Sequence, residues 1–134
     1  MLKILIAEDD LASRKLLQKF LSRFGDCDVA IDGIEALDAF LSAHDEKEPY
    51  ELVCLDIMMP KLDGVKVLKA IRDIENQKKV SEKDRAKIIM TTAINDQQTV
   101  LECYELGSEA YAWKPINLEK FREVLQNLNI VELS

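Results

Sequence analysis

Ile4-Leu5-Ile6-Ala7-Glu8-Asp9-Asp10 is an apolar run of strand length that ends abruptly in three carboxylates. Leu52-Val53-Cys54-Leu55-Asp56 repeats the pattern with one. Uninterrupted apolar strands are those buried on both faces, as in a parallel sheet covered by helices. In such a sheet the carboxyl ends of neighbouring strands meet at one edge, so Glu8, Asp9 and Asp56 are expected to converge. Two carboxylates about 5 Å apart at an effective dielectric near 20 repel by roughly 3 kcal/mol. A divalent cation or an ammonium group has to relieve that repulsion.

Outward from these two strands the chain alternates regularly. After the first strand (residues 2–7), Ser13, Leu17, Phe20, Leu21 and Phe24 recur at helical spacing, and Gly25 is placed to cap that helix. A short strand is expected over Asp28–Ile31, then a helix on Gly33, Ala36, Leu37, Phe40 and Leu41. The strand Leu52–Leu55 leads through the loop Met58-Met59-Pro60-Lys61-Leu62-Asp63-Gly64 to a helix carrying Val67, Leu68, Ile71 and Ile74. Ile88–Met90 forms the fourth strand, and Val100, Cys103 and Tyr104 mark a helix that Gly107 ends. Ala110–Trp113 forms the fifth strand, and Leu118, Phe121, Leu125 and Leu128 line the last helix. The expected fold is α/β: a doubly wound, five-stranded parallel sheet with five helices on both faces. The polar connection Asn76–Lys87 is read as a solvated helix extension plus loop.

The chain has 134 residues, 48% hydrophobic and 32% charged, which suits one domain over residues 1–134 with no output domain after it. A net charge of -7 argues against direct nucleic-acid binding or an anionic membrane surface, although local basic patches remain compatible with it. Cys27, Cys54 and Cys103 are odd in number and widely spaced, the usage of a reducing, cytoplasmic compartment. Neither a signal peptide nor a membrane-spanning apolar run stands out. His44, among polar neighbours, is read as a surface residue and not a phosphorylation site.

Polar groups stand where four strands run out: Glu8 and Asp9, Asp56, Thr91 and Thr92, and Lys114 before Pro115. Together with Met59-Pro60, Asp63-Gly64 and Thr92-Ala93, in order and across the whole chain, they resemble a response-regulator receiver domain of two-component signalling, similar to the single-domain chemotaxis regulators. The resemblance implies the flavodoxin-like strand order 2-1-3-4-5. It implies that Asp56 is the phosphorylation site and nucleophile. It further implies that Glu8, Asp9, Asp56 and the backbone carbonyl of Met58 hold Mg2+, and that Asp10 opens the first helix instead. Lys114 and Thr92 would contact the phosphoryl oxygens, Thr91 being the rival for the second role, and the Lys114–Pro115 bond is expected to be cis. Tyr111 would move from an outward to an inward rotamer as Thr92 is drawn in, changing the surface of the fourth helix, fifth strand and fifth helix. Trp113 falls on the face of Tyr111 by alternation.

The implied partners are a histidine kinase or histidine phosphotransfer protein and a downstream target protein, with a phosphorylation-dependent homodimer left open. Arg14, Lys15, Lys19 and Arg23 on the first helix are candidates for docking the phosphodonor. Met58 and Ile94, two residues beyond Asp56 and Thr92, are apolar and cannot orient an attacking water, so slow self-dephosphorylation is expected. The chain is read as a binding switch that catalyses only its own phosphorylation and dephosphorylation. An aspartate-nucleophile phosphohydrolase is disfavoured because Met58 stands where many such enzymes place a second aspartate as general acid. The alternative is a receiver-like scaffold that works without phosphate.

Overall fold

A computed structural model describes residues 2–93 and 96–130. Five strands and five helices alternate: β1 Leu2–Ala7, α1 Leu11–Leu21, β2 Gly25–Ala30, α2 Gly33–Asp45, β3 Leu52–Asp56, α3 Gly64–Gln77, β4 Lys87–Thr92, α4 Gln97–Glu105, β5 Ala110–Trp113 and α5 Leu118–Asn127. All pairings are parallel and the order is β2-β1-β3-β4-β5, so the doubly wound, flavodoxin-like expectation holds. β1 and β3 are central. The Leu52–Asp56 strand is buried throughout, which is why it reads as an unbroken apolar run.

The sheet separates two apolar clusters. Leu5, Val53, Leu55, Ile88 and Met90 face α2 and α3 through Phe40, Leu68 and Ile71. Ile4, Ile6, Leu52, Cys54 and Ile89 face α1 and α5 through Leu17, Phe20, Leu21, Phe121 and Leu125. Each helix begins with a polar cap whose side chain accepts from a backbone N–H: Asp10 for α1, Asp32 for α2, Asp63 for α3, Asp96 for α4 and Asn117 for α5.

The expected boundaries need correction: β4 extends beyond Ile88–Met90 to take in Thr91 and Thr92, Phe24 and Leu128 fall just past α1 and α5, and the largest change is at β2. Gly25 does not cap α1: the helix closes at Ser22, and Gly25 opens β2, which therefore starts three residues earlier than expected and stops at Ala30. The reason is contact with β1, because a Cβ on Gly25 would lie 2.1 Å from the Leu2 carbonyl oxygen. Gly107 does follow α4, at φ +104, where a side chain would be strained. The polar connection is a helix extension to Gln77 followed by a loop holding one 3-10 turn, Glu82–Asp84.

Candidate functional site

Alternation and register decide which side chains meet. Ile4 and Ile6 lie on the α1/α5 side of β1, so Glu8 continues that face; Cys54 puts Asp56 there, and Ala110 and Ala112 put Lys114 there. The result is a cluster at the carboxyl edge of the three strands. Carboxylate oxygens of Glu8, Asp9 and Asp56 lie within 4.8 Å of one another, with Glu8 and Asp56 buried and Asp9 exposed. Lys114 Nζ sits 2.6 Å from Glu8 Oε1 and 3.2 Å from Asp56 Oδ2. The ammonium group is therefore one of the two forms of relief that the charge crowding demanded. The Lys114–Pro115 bond is cis, as expected.

The electrostatics follow. Burial, then the hydrogen bond and charge of Glu8, push the Asp56 carboxyl up to about 7, against the opposing pull of Lys114. Lys114 is affected in the other sense: burial disfavours its charge, but Glu8 and Asp56 outweigh burial and raise its pKa. The donor set of three carboxylates is the hard-oxygen chemistry that a small divalent cation such as Mg2+ takes.

Asp10 stands apart from the cluster, as expected, and caps α1 through Ser13 N–H at 3.0 Å. Met58 donates its N–H to Asp56 Oδ1 at 3.2 Å, and its side chain is 64% exposed beside the site. Thr91 is paired with Asp56 in register and its Oγ1 is buried without a hydrogen-bond partner among the described residues. Thr92, also buried, alternates onto the face of Ile88 and Met90, the side on which Tyr111 packs. Tyr111 rests with its hydroxyl buried and its ring 4.9 Å from that of Trp113, which does share its face. Ile94 lies outside the described residues. His44 is half-buried, its ring against Phe40 at 4.9 Å, so it is less exposed than its polar neighbours suggested.

Two backbone contacts at the site are not legible from spacing. Arg14, read as a docking residue, folds back so that Nη1 donates to the carbonyls of Glu8 at 3.0 Å and Asp9 at 3.4 Å, bracing the loop that presents both carboxylates. Gly64 touches the end of β3: its N–H donates to Ile57 O at 2.8 Å, and a Cβ there would lie 2.1 Å from the Asp56 carbonyl oxygen. Gly64→Ala is expected to cost about 1–3 kcal/mol of stability, because backbone and not a flexible side chain must give way. Urea denaturation against the parent checks it.

The response regulator receiver domain model matches residues 4–126. The chain is 39% identical over 132 residues to the probable transcriptional regulator ycf27 of Guillardia theta, covering 95% of this chain and 46% of that protein. It is 34% identical over 124 residues to hybrid signal transduction histidine kinase I of Dictyostelium discoideum, covering 92% of this chain and 7% of the kinase. The chain thus spans less than half the length of these relatives. Among solved structures it is similar to a chain in the CheX–CheY–BeF3–Mg2+ complex from Borrelia burgdorferi, with a TM-score of 0.80, 27% identity, and coverage of 98% of this chain and 90% of that one. It is also similar to a chain in the complex of the Saccharomyces cerevisiae histidine phosphotransfer protein Ypd1 with the receiver domain of the response regulator Ssk1, at TM-score 0.78 and 25% identity, covering 97% and 92%. The chain belongs to the response regulator receiver domain family. It is a receiver domain of two-component signalling.

Proposed function

We propose that this receiver accepts a phosphoryl group on Asp56 from a phosphohistidine and uses it to reshape the face made by α4, β5 and α5. The observation that carries the reading is the buried Asp56 carboxylate held 3.2 Å from Lys114 Nζ within the three-carboxylate cluster. An Asp56 oxygen attacks phosphorus in line while the bond from phosphorus to the donor imidazole nitrogen breaks, leaving an aspartyl phosphate. Glu8, Asp9, Asp56 and the Met58 carbonyl would hold Mg2+, which when bound supplies positive charge against the phosphoryl oxygens. Lys114, already between Glu8 and Asp56, needs only a small displacement to pair with a phosphoryl oxygen. Thr92 offers its hydroxyl to another. Because Thr92 and Tyr111 share one side of the sheet, a displacement of Thr92 changes the space open to the Tyr111 ring. The partners on this reading are a histidine kinase or histidine phosphotransfer protein, a pairing that the Ypd1–Ssk1 complex represents in its own relatives, and a downstream target protein. The apolar Met58 side chain cannot orient an attacking water, and on this reading the phosphoryl group is long-lived.

Intact-protein mass spectrometry after incubation with acetyl phosphate tests the reading. A single phosphoryl adduct is expected that requires magnesium and is absent from Asp56→Asn. No adduct from either acetyl phosphate or a panel of phosphorylated histidine donors would move the protein to a phosphate-independent scaffold, and an adduct that persists in the Asn variant would place the phosphoryl group on another residue.

A further inference from the structure

The edge of the sheet formed by β5 carries an apolar, acid-flanked surface. Leu101 and Tyr104 of α4 are 61% and 45% exposed, and Trp113 of β5 is 45% exposed. The rings of Tyr104, Tyr111 and Trp113 form a continuous series, with centroids 6.4 and 4.9 Å apart. Beside it, between β5 and α5, runs a groove of about 370 Å³ lined by Tyr111, Trp113, Ile116, Phe121 and Val124. Contiguous exposed apolar side chains of this kind mark contact surfaces.

Charge decides what this surface takes. From Ile88 to Trp113 the chain holds no lysine or arginine, but four acids, Asp96, Glu102, Glu105 and Glu109. Glu109 is occupied by Arg72, while Asp96, Glu102 and Glu105 are exposed at or beside α4. From α5 the groove receives Lys120 and Glu123, which offset each other. The opposite arrangement occurs on α1, which carries Arg14, Lys15 and Lys19 and no acid. The aromatic edge is thus acidic where α1 is basic.

We infer that the α4–β5–α5 face receives a partner-protein segment of one chemical type: apolar anchors flanked by lysine or arginine. This rests on the proposed output role of the same face and adds to it the identity of what binds. The anchors cover Leu101, Tyr104 and Trp113, and the cations of the segment meet Asp96, Glu102 and Glu105. A second copy of this chain is a poorer occupant. A two-fold contact sets α4 against α4 or against the β5–α5 part of the other copy, where Lys120 and Glu123 offset each other, so the acids of α4 meet no net positive charge there.

The test is selection of a displayed library of random 16-residue peptides on the full chain, with magnesium and beryllofluoride and again without them. The expected pool is enriched in hydrophobic residues with net positive charge. Its binding falls about tenfold on Leu101→Asp, its charge preference reverses on the Glu102→Lys, Glu105→Lys double variant, and it weakens with salt. Both variants are first checked for unchanged acetyl phosphate labelling of Asp56, which reports that the fold is intact. An acidic or neutral pool, binding that survives Leu101→Asp, no enrichment, or self-association in sedimentation that Leu101→Asp abolishes would each overturn the inference. Basic peptides that bind equally well without beryllofluoride would uphold the partner chemistry while refuting the phosphate switch.

Discussion

Asp56→Asn is expected to stabilise the metal-free protein at pH 8, by about 2 kcal/mol. In the folded chain the Asp56 carboxyl is pushed up to about 7, from an ordinary 3.8, by burial and by Glu8. Between those two values the folded state holds a proton that the unfolded state has lost, so stability falls as pH rises through the window and levels off above 7. The full cost of a shift of about three units would be roughly 4 kcal/mol. That shift already contains the pull of Lys114, and solvent at the open edge of the site screens the charge, so the expected gain is about half of the full figure. Urea denaturation in chelator at pH 4, 6 and 8 checks it: the two proteins should differ little at pH 4 and most at pH 8. Magnesium should then stabilise the parent and leave the variant almost unmoved. A variant less stable than the parent at every pH would mean that the Lys114 pair outweighs the charge burial.

Arg72→Met is expected to cost about 3–5 kcal/mol, a larger effect. Arg72 is the tie at the opposite end of the sheet. Its Nη1 donates to Glu75 at 2.7 Å and to the Ala86 carbonyl at 2.9 Å. Its Nε and Nη2 donate to the Gly107 carbonyl at 3.1 and 2.7 Å, and Nη2 reaches the Glu109 carboxylate at 2.8 Å. One guanidinium thereby joins α3, the start of β4 and the turn between α4 and β5. The two acids are also committed to the backbone, Glu75 accepting from Ala86 N–H at 2.8 Å and Glu109 from Ile88 N–H at 2.6 Å. Glu75 is 1% exposed, so methionine at position 72 would leave a buried carboxylate without its cation and the Gly107 carbonyl without its donors. The double variant Arg72→Met, Glu75→Met should recover much of the loss, since a buried pair removed as a whole is far cheaper than one half removed. Chemical denaturation of the single and double variants forms the cycle. A cost below about 1 kcal/mol for Arg72→Met would show that the network is solvated and dispensable.

The difference between these two sites is also a difference in legibility. Glu8, Asp9, Asp56, Thr92 and Lys114 announce themselves because each stands at the end of an apolar strand, and a parallel sheet brings such ends together whatever the detailed packing. Nothing comparable marks Arg72, one basic residue in an amphipathic helix, or Glu75, one acid on a mostly polar stretch. Arg14 looked like part of a free basic face because helical spacing places it beside Lys15 and Lys19. Its bonds to the Glu8 and Asp9 carbonyls depend on how the β1–α1 loop folds back over the helix. The misplaced start of β2 has the same origin, for Gly25 is a plausible helix cap until the carbonyl of Leu2 is seen to occupy the space of its side chain.

Local pattern alone therefore determined the alternation of strands and helices, the double winding of the sheet and the edge at which the carboxylates and Lys114 gather. Those features depend on short-range periodicity and on the handedness of crossovers, both of which are written in neighbouring residues. Only the tertiary structure decided that Lys114 bridges Glu8 and Asp56, that Thr92 and not Thr91 shares a side with Tyr111, and that Arg72 ties α3 to two distant loops. Each of these depends on which atoms lie within hydrogen-bonding distance after strands far apart in the chain have paired, and distances of that kind have no counterpart in sequence spacing.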